Sequence, residues 1–313
     1  MKKTYLLALF ILTVLFLAAC DPVDQGEPQG RYYQGDVGLE LSFVEGEPPQ
    51  SVLDDGQEVF DISILVKNVG EEDIAPNDIL VTLNGIERDA FKLARLTEKN
   101  KNELLGTKKL QDRKQEGDSD EIRFEDASYK DLLPFNFDVD IRADVCYEYG
   151  TTAVADVCLK SDTGKRRTND QCQIDNGDVK IESSGAPVKV ENFAQRTRGT
   201  DSIQFTFDIV KTGAGDVFPS GNFNDKCTTD DENEDMVDVS IDFIRANLPV
   251  SCTTFNGNEG TVRLSAGRKT VRCEVDTSSL QDIAFEKPLR IKLDYVYKDS
   301  VQKTFTVEST EDF

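Results

Sequence analysis

Residues 60–68 read Phe60-Asp61-Ile62-Ser63-Ile64-Leu65-Val66-Lys67-Asn68, and a close copy, Phe205-Thr206-Phe207-Asp208-Ile209-Val210-Lys211-Thr212, returns in the second half of the 313-residue chain. Phe60, Ile62, Ile64 and Val66 recur at every second residue, as do Ile203, Phe205, Phe207 and Ile209, and further on Val237, Val239, Ile241 and Phe243. A period of two places these side chains on one face of an extended strand, with aspartate, serine, threonine and lysine on the other. Strands divided in this way suit antiparallel sheets with one side in water. Asp55-Gly56, Asn84-Gly85, Asn176-Gly177 and Asn256-Gly257 fall between the apolar runs, where hairpin turns need residues that accept positive φ. The chain is predicted to be all-β.

The repetition extends beyond one strand. Val69-Gly70 and Asp73-Ile74 follow the first stretch, and Gly213-Ala214-Gly215-Asp216-Val217 follows the second. Val139-Asp140-Ile141-Arg142-Ala143-Asp144-Val145, then Tyr147 and Tyr149, matches Leu289-Arg290-Ile291-Lys292-Leu293-Asp294, then Tyr295 and Tyr297. Two tandem β-sandwich domains are therefore expected, one over residues 36–162 and one over 179–313, with a linker at 163–178. Each is long enough to bury about two thirds of its unfolded surface. The charged stretch from Glu87 to Leu110 keeps neither period, so a short helix and a long loop both fit it. The irregular stretches 87–120 and 219–235 are the expected contact loops.

The chain opens with Met1-Lys2-Lys3, an apolar run from Leu6 to Leu17, and Leu17-Ala18-Ala19-Cys20. A basic start, a greasy middle and small residues before a cysteine make a signal peptide over residues 1–19 that is cut to leave a lipidated Cys20. The run is shorter than the roughly 20 apolar residues a spanning helix needs. Residues 20–35 then read as a polar tether, and the expected location is the extracytoplasmic face of the cell membrane, held by lipid.

Loss of residues 1–19 removes Lys2 and Lys3 and no acid, leaving 34 basic residues against 59 acidic ones, a net charge of −25. Such a surface repels nucleic acid and favours cations or basic partners. Six cysteines remain in an exported chain, which predicts three disulfides. A hairpin turning at Gly150-Thr151-Thr152-Ala153 would pair Cys146 with Cys158. Cys252 and Cys273 flank the turn at Asn256–Gly260, and Cys172 is left for Cys227. Zinc is disfavoured by the wide cysteine spacing and the lack of histidine.

With no histidine, the serine triad, the cysteine–histidine pair and histidine-ligated metals are excluded. No phosphate-cradling glycine loop is present. Paired carboxylates of the glycosidase kind stay open, but 59 acids place neighbouring carboxylates everywhere. No catalytic residue is assigned, and the protein is expected not to be an enzyme. Asp230, Asp231, Glu232 and Asp235 form the densest acidic run, a weak calcium candidate without the EF-hand order of ligands. No other cofactor is implied. Lys165-Arg166-Arg167 is a basic island between the expected domains.

Several stretches resemble cell-surface lipoproteins of small-genome archaea whose domains look like the CARDB adhesion-related, immunoglobulin-like class. They are Leu41-Ser42-Phe43 with Gly46 and Pro48-Pro49; Val66-Lys67-Asn68 with Gly70; Val145-Cys146-Tyr147-Glu148-Tyr149 with Thr151 or Thr152, Ala153 and Val157-Cys158; and Gly185-Ala186-Pro187-Val188. The resemblance implies a surface protein of immunoglobulin-like β-sandwiches, adhesive or part of an envelope assembly, and transfers no ligand residue. The expected function is binding, to a protein or an envelope polymer. The alternative is an accessory or substrate-capturing lipoprotein of a transport or secretion complex.

Overall fold

The computed structural model describes residues 31–110, 113–165, 168–174, 177–221 and 232–311. Among them there is no helix, and Tyr32–Phe313 gathers into one compact unit. The strands of the first repeat are β1 (Leu39–Phe43), β2 (Ser51–Leu53), β3 (Phe60–Asn68), β4 (Ile79–Asn84), β5 (Thr97–Lys99), β6 (Lys108–Leu110), β7 (Arg113–Gln115), β8 (Ser119–Ala127) and β9 (Phe137–Leu159). Those of the second are β10 (Gly177–Asp178), β11 (Ile181–Ser183), β12 (Val188–Arg198), β13 (Ser202–Lys211), β14 (Asp216–Pro219), β15 (Met236–Phe243), β16 (Val250–Cys252), β17 (Glu259–Arg263), β18 (Arg268–Asp276) and β19 (Phe285–Glu308).

The predicted period-two stretches are strands, and their apolar residues are buried: Ile62, Ile64 and Val66 in β3, and Ile203, Phe205, Phe207 and Ile209 in β13, are inaccessible to solvent. β3 is the middle of a three-stranded sheet, β1-β3-β8, and β13 the middle of a five-stranded sheet, β10-β12-β13-β18-β16. Both sheets pack on a nine-stranded sheet whose main path is β17-β15-β19-β9-β4-β5, with β11 beside β9 and with β14 and β2 beside β19. The charged stretch after Glu87 forms β5 and the β6-β7 hairpin within irregular chain.

The large sheet is built on β9 and β19, of 23 and 24 residues. They pair antiparallel without interruption from Leu159 opposite Phe285 to Phe137 opposite Val307. At the middle Glu148 faces Val296, Tyr147 faces Tyr297 and Tyr149 faces Tyr295. Val296 lies 148 positions after Glu148, the spacing of this part of the repeat, so the centre pairs a residue with its own equivalent. That register is what a local two-fold axis between the copies demands. The flanks obey the same symmetry, since β4 sets Val81 opposite Val145 and β15 sets the equivalent Val239 opposite Leu293.

Each long strand starts beside its own repeat and finishes in the other. Phe305 of β19 packs edge-on against Phe60 and Phe91, with ring centroids 6.0 and 5.9 Å away. β2 runs parallel to the end of β19, and Asp54 accepts hydrogen bonds from the Thr310 hydroxyl, the Thr310 N–H and the Leu133 N–H. In return the far half of β9 enters the second repeat. There the Thr151 hydroxyl donates to the Val188 carbonyl, and the Gln195 amide both donates to and accepts from the backbone of Cys158. The described chain from Tyr32 onward is one unit, in which each core is completed by chain from the other side of the expected linker at 163–178.

This arrangement corrects the hairpin expected at Gly150–Ala153. That segment is buried mid-strand, with Gly150, Thr151, Ala153, Ala155, Val157 and Leu159 continuing the ladder. Small residues serve here for close packing between sheets, not for a turn. Cys146 and Cys158 therefore lie twelve residues apart on one strand, about 40 Å at ~3.3 Å per residue, and cannot join each other. Cys158 is bonded instead to Cys172, with Cα atoms 5.9 Å apart, which also rules out the expected pairing of Cys172 with Cys227. Cys146 is disulfide-bonded as well, and Cys227 lies outside the described residues. Cys252 and Cys273 are joined as expected, directly opposite each other on β16 and β18.

Because Phe305 is 1% exposed and belongs in sequence to the second repeat, Phe305→Ala should destabilise the whole unit by about 3–5 kcal/mol. Urea unfolding followed by hydrogen exchange should show both repeats losing protection in one transition. Protection persisting in the second repeat after the first has melted would contradict the shared core.

Candidate functional site

The repeated tyrosines explain the centre of the molecule. Tyr147 and Tyr149 meet edge-on with ring centroids 5.6 Å apart, Tyr147 lies 5.7 Å from Tyr297, and Tyr149 lies 6.4 Å from Tyr295. Each hydroxyl receives a backbone N–H from its own repeat, two from strand starts and two from loops: Leu39 to Tyr147 (3.3 Å), Val188 to Tyr295, Glu72 to Tyr149 (3.3 Å) and Gly215 to Tyr297 (2.7 Å). Burial raises all four phenols, Tyr297 to about 12, so they stay neutral and can donate as well as accept, as Tyr149 does to Asn68 Oδ1 at 3.3 Å. Gly70 and Gly213 are required by this packing. A Cβ at Gly70 would stand 2.0 Å from the Tyr149 hydroxyl, and one at Gly213 would stand 2.2 Å from that of Tyr297.

Tied down by Tyr149, the loop after β3 forms one wall of a cleft of about 360 Å³ over the middle of the long ladder. Glu72, Asp73 and Asp78 come from this loop, Glu148 from the midpoint of β9, and Lys292 and Asp294 from β19. Five carboxylates thus face one lysine across a small volume. Lys292 holds Asp294 at 2.7 Å, and Asp73 is held by Lys108 at 2.6 Å and by the Gly106 N–H at 2.8 Å. Glu72 and Glu148 are left with weaker compensation. Burial raises the Glu72 carboxyl; Lys292 opposes this, and Asp294 and Asp73 add to it. Burial likewise raises Glu148, helped by Asp78 and Asp294. The cleft concentrates negative potential in a partly desolvated place, where a cationic group gains more than it would on open surface.

Next to the cleft, Glu71 accepts backbone N–H bonds from Tyr33 (3.0 Å), Gln34 (3.2 Å) and Gly185 (2.7 Å). Its carboxylate fastens the beginning of the described chain to the junction of the two repeats. Neither Glu71 nor the cleft is visible in the sequence, because their members come from segments up to 222 positions apart. The pseudo-symmetric tyrosines were the available signal, since their axis runs through Glu148.

Other expected sites fall elsewhere. Cys20, Arg166, Arg167, Asp230 and Asp231 lie outside the described residues. Asp235 is paired with Lys211 at 3.1 Å, and the backbone carbonyl of Glu232 accepts from Arg263. Among the described residues no group of three or more acids or cysteines is arranged to hold a metal ion. Lys165 pairs locally with Asp162 at 2.7 Å. No described helix is long and apolar enough to cross a membrane. The disulfides at Cys158–Cys172 and Cys252–Cys273 place the folded chain in an oxidising, extracytoplasmic setting.

The two kinds of carboxylate give opposite pH dependences. Glu72 and Glu148, raised above 4.5, penalise the fold when ionised, so stability grows as pH falls from neutrality through their folded values. Asp54 is lowered below 3.8 by the Thr310 hydroxyl and by the Leu133 and Thr310 N–H groups, so it supports the fold above that value and stops doing so as pH falls through its folded value. Asp208, against the cost of its burial, is lowered by Thr270, Asn192 and Arg268 and behaves alike. Thermal melting should show maximal stability on the acid side of neutrality, above about pH 4. Glu148→Gln should raise Tm at pH 7 and lose that advantage near pH 4.5. An advantage that does not change with pH would mean that Glu148 carries no penalty.

No protein-family model matches this chain, and no curated relative matches it. Among solved structures, the secreted serine protease VesC from Vibrio cholerae aligns at 13% identity over 83% of this chain with a TM-score of 0.19, and the alignment spans 50% of VesC. The serine-rich repeat adhesion glycoprotein Srr1 of Streptococcus agalactiae aligns at 8% identity over 90% of this chain and all of its own, with a TM-score of 0.16. The collagen-binding domain of the Erysipelothrix rhusiopathiae surface protein RspB aligns at 7% identity over 90% and 100%, with a TM-score of 0.12. Likeness at this level identifies no family and no function.

Proposed function

We propose that this protein is a lipid-anchored binding module on the extracytoplasmic face of the membrane, acting by contact and not by turnover. In this reading each repeat is an immunoglobulin-like β-sandwich, the two locked together by the exchanged strands, and Cys20 carries the lipid. The central acidic cleft grips a cationic side chain or basic segment of a protein or envelope partner. The observation that supports it most is the convergence of Glu72, Asp73, Asp78, Glu148 and Asp294 on one cleft. Salt weakens the approach of such a partner, because at physiological ionic strength charges farther apart than about 8 Å are largely screened.

Crosslinking on intact cells tests the proposal. The anchored protein should capture a discrete partner; Cys20→Ser should lose it, and Glu148→Gln with Asp294→Asn should weaken its capture while the melting transition stays cooperative. Capture that is indifferent to both cleft substitutions and to salt would remove the cleft from the function. If the captured species is a neighbouring membrane complex and not an envelope polymer or another cell, the accessory reading replaces adhesion.

A further inference from the structure

The two repeats share one scaffold, yet their far ends are finished differently. In the second repeat the connection from β18 to β19 keeps Leu280 and Ile283 half-buried. Residues 161–165 and 168–174 cover it: Ser161 N–H donates to the Gln281 carbonyl, Gln171 N–H to the Ala284 carbonyl, and Ala284 N–H to Asp170. The Cys158–Cys172 disulfide and the buried Lys160–Asp170 ion pair (2.8 Å) hold that cover in place. In the equivalent connection of the first repeat, from β8 to β9, Ser128 and Lys130 are held by the Phe91 and Ala90 carbonyls, but among the described residues nothing covers Leu132 and Phe135, which stand 64% and 69% exposed. Val59 (60%) and Leu53 (39%) lie at the same end, since Leu53 pairs with Glu308, Leu133 bonds Asp54, and Phe60 pairs with Ala127. Of the six large apolar side chains that are markedly exposed among the described residues, these four share one end, while Val37 and Leu110 lie away from it, before β1 and in the β6-β7 hairpin.

We infer that this tip rests in the interface of the lipid bilayer to which the chain is anchored, an inference that depends on the lipid reading of Cys20. Reach supports it. The chain is fixed at Tyr33 and Gln34 by Glu71, and from Gly70 to Val59 the strand direction covers eleven residues, about 36 Å. Cys20 to Tyr33 is thirteen residues, up to about 43 Å, so the tether is long enough for the first tip to touch the surface and too short for much more. The tether, Asp21 to Gly30, has only Val23 as a large apolar residue and does not match the patch itself. Paired aliphatic and aromatic side chains at a loop tip gain by entering the headgroup region. Asp55, Glu58 and Asp131, set against Lys92 and Lys130 at the same end, favour headgroups of no net charge.

The chain contains no tryptophan, so Phe135→Trp gives a single tryptophan that can be excited apart from the tyrosines. The lipidated, full mature protein would be reconstituted into phosphatidylcholine vesicles, with Ser279→Trp at the second tip as the comparison. The tryptophan at 135 should emit to the blue of its position in dilute detergent and be quenched by spin-labelled lipid, while that at 279 stays water-like and unquenched. Both unquenched, with mass spectrometry showing the lipid on Cys20, would overturn the inference alone. An unmodified Cys20 would overturn the anchoring reading and this inference with it. A blue-shifted emission at 135 that lipid cannot quench would assign the tip to a protein contact instead.

Discussion

The structure depends on a single antiparallel ladder between Phe137–Leu159 and Phe285–Glu308. Its centre pairs Glu148 with Val296 and interlocks four tyrosines, and from there each strand runs outward into the other repeat's core. Hydrogen bonds alone would give such a ladder little net stability, because water competes for the same groups. The gain comes from what the ends bury: Phe305 and Val307 in one core, and Ala153, Ala155, Val157 and Leu159 in the other. Exchange of this kind makes two repeated folds into one cooperative body, and it explains why residues from both repeats meet over the middle.

The same centre is where the acidity of the chain becomes chemistry. Most of its carboxylates are solvated and cost nothing. Asp54 is buried but satisfied by three donors, which stabilises its charge, whereas Glu72 and Glu148 are desolvated beside other acids. A fold that keeps under-compensated charge at its axis gives up stability there, and such positions are characteristic of functional sites. The ends of the molecule show a second departure from symmetry. One tip is covered by a disulfide-held segment, and the other leaves leucine and phenylalanine exposed.

The alternation of Phe60, Ile62, Ile64 and Val66 and its return at Ile203–Ile209 declared the strands, and the recurring tyrosines declared the duplication. The Cys252–Cys273 pair was legible too, because both cysteines flank one turn. Gly150–Ala153 has the composition of a turn, a glycine beside small residues, yet it lies mid-strand. What keeps the chain extended there is the neighbouring strand Lys292–Asp294 and the core of the second repeat, both more than 30 positions away. Once that turn vanished, Cys146 and Cys158 moved far apart and Cys172 took the place across from Cys158.

The sequence by itself determined that this chain is built of half-buried antiparallel strands, twice over, strongly acidic and without histidine chemistry. Those properties follow from side chains and their near neighbours, which act on the backbone wherever it goes. Only the tertiary structure decided how far each long strand runs, which thiols meet, and that five carboxylates face one lysine at a local two-fold axis. These depend on burial and desolvation between residues distant along the chain, where the partner that completes an environment has no local signature.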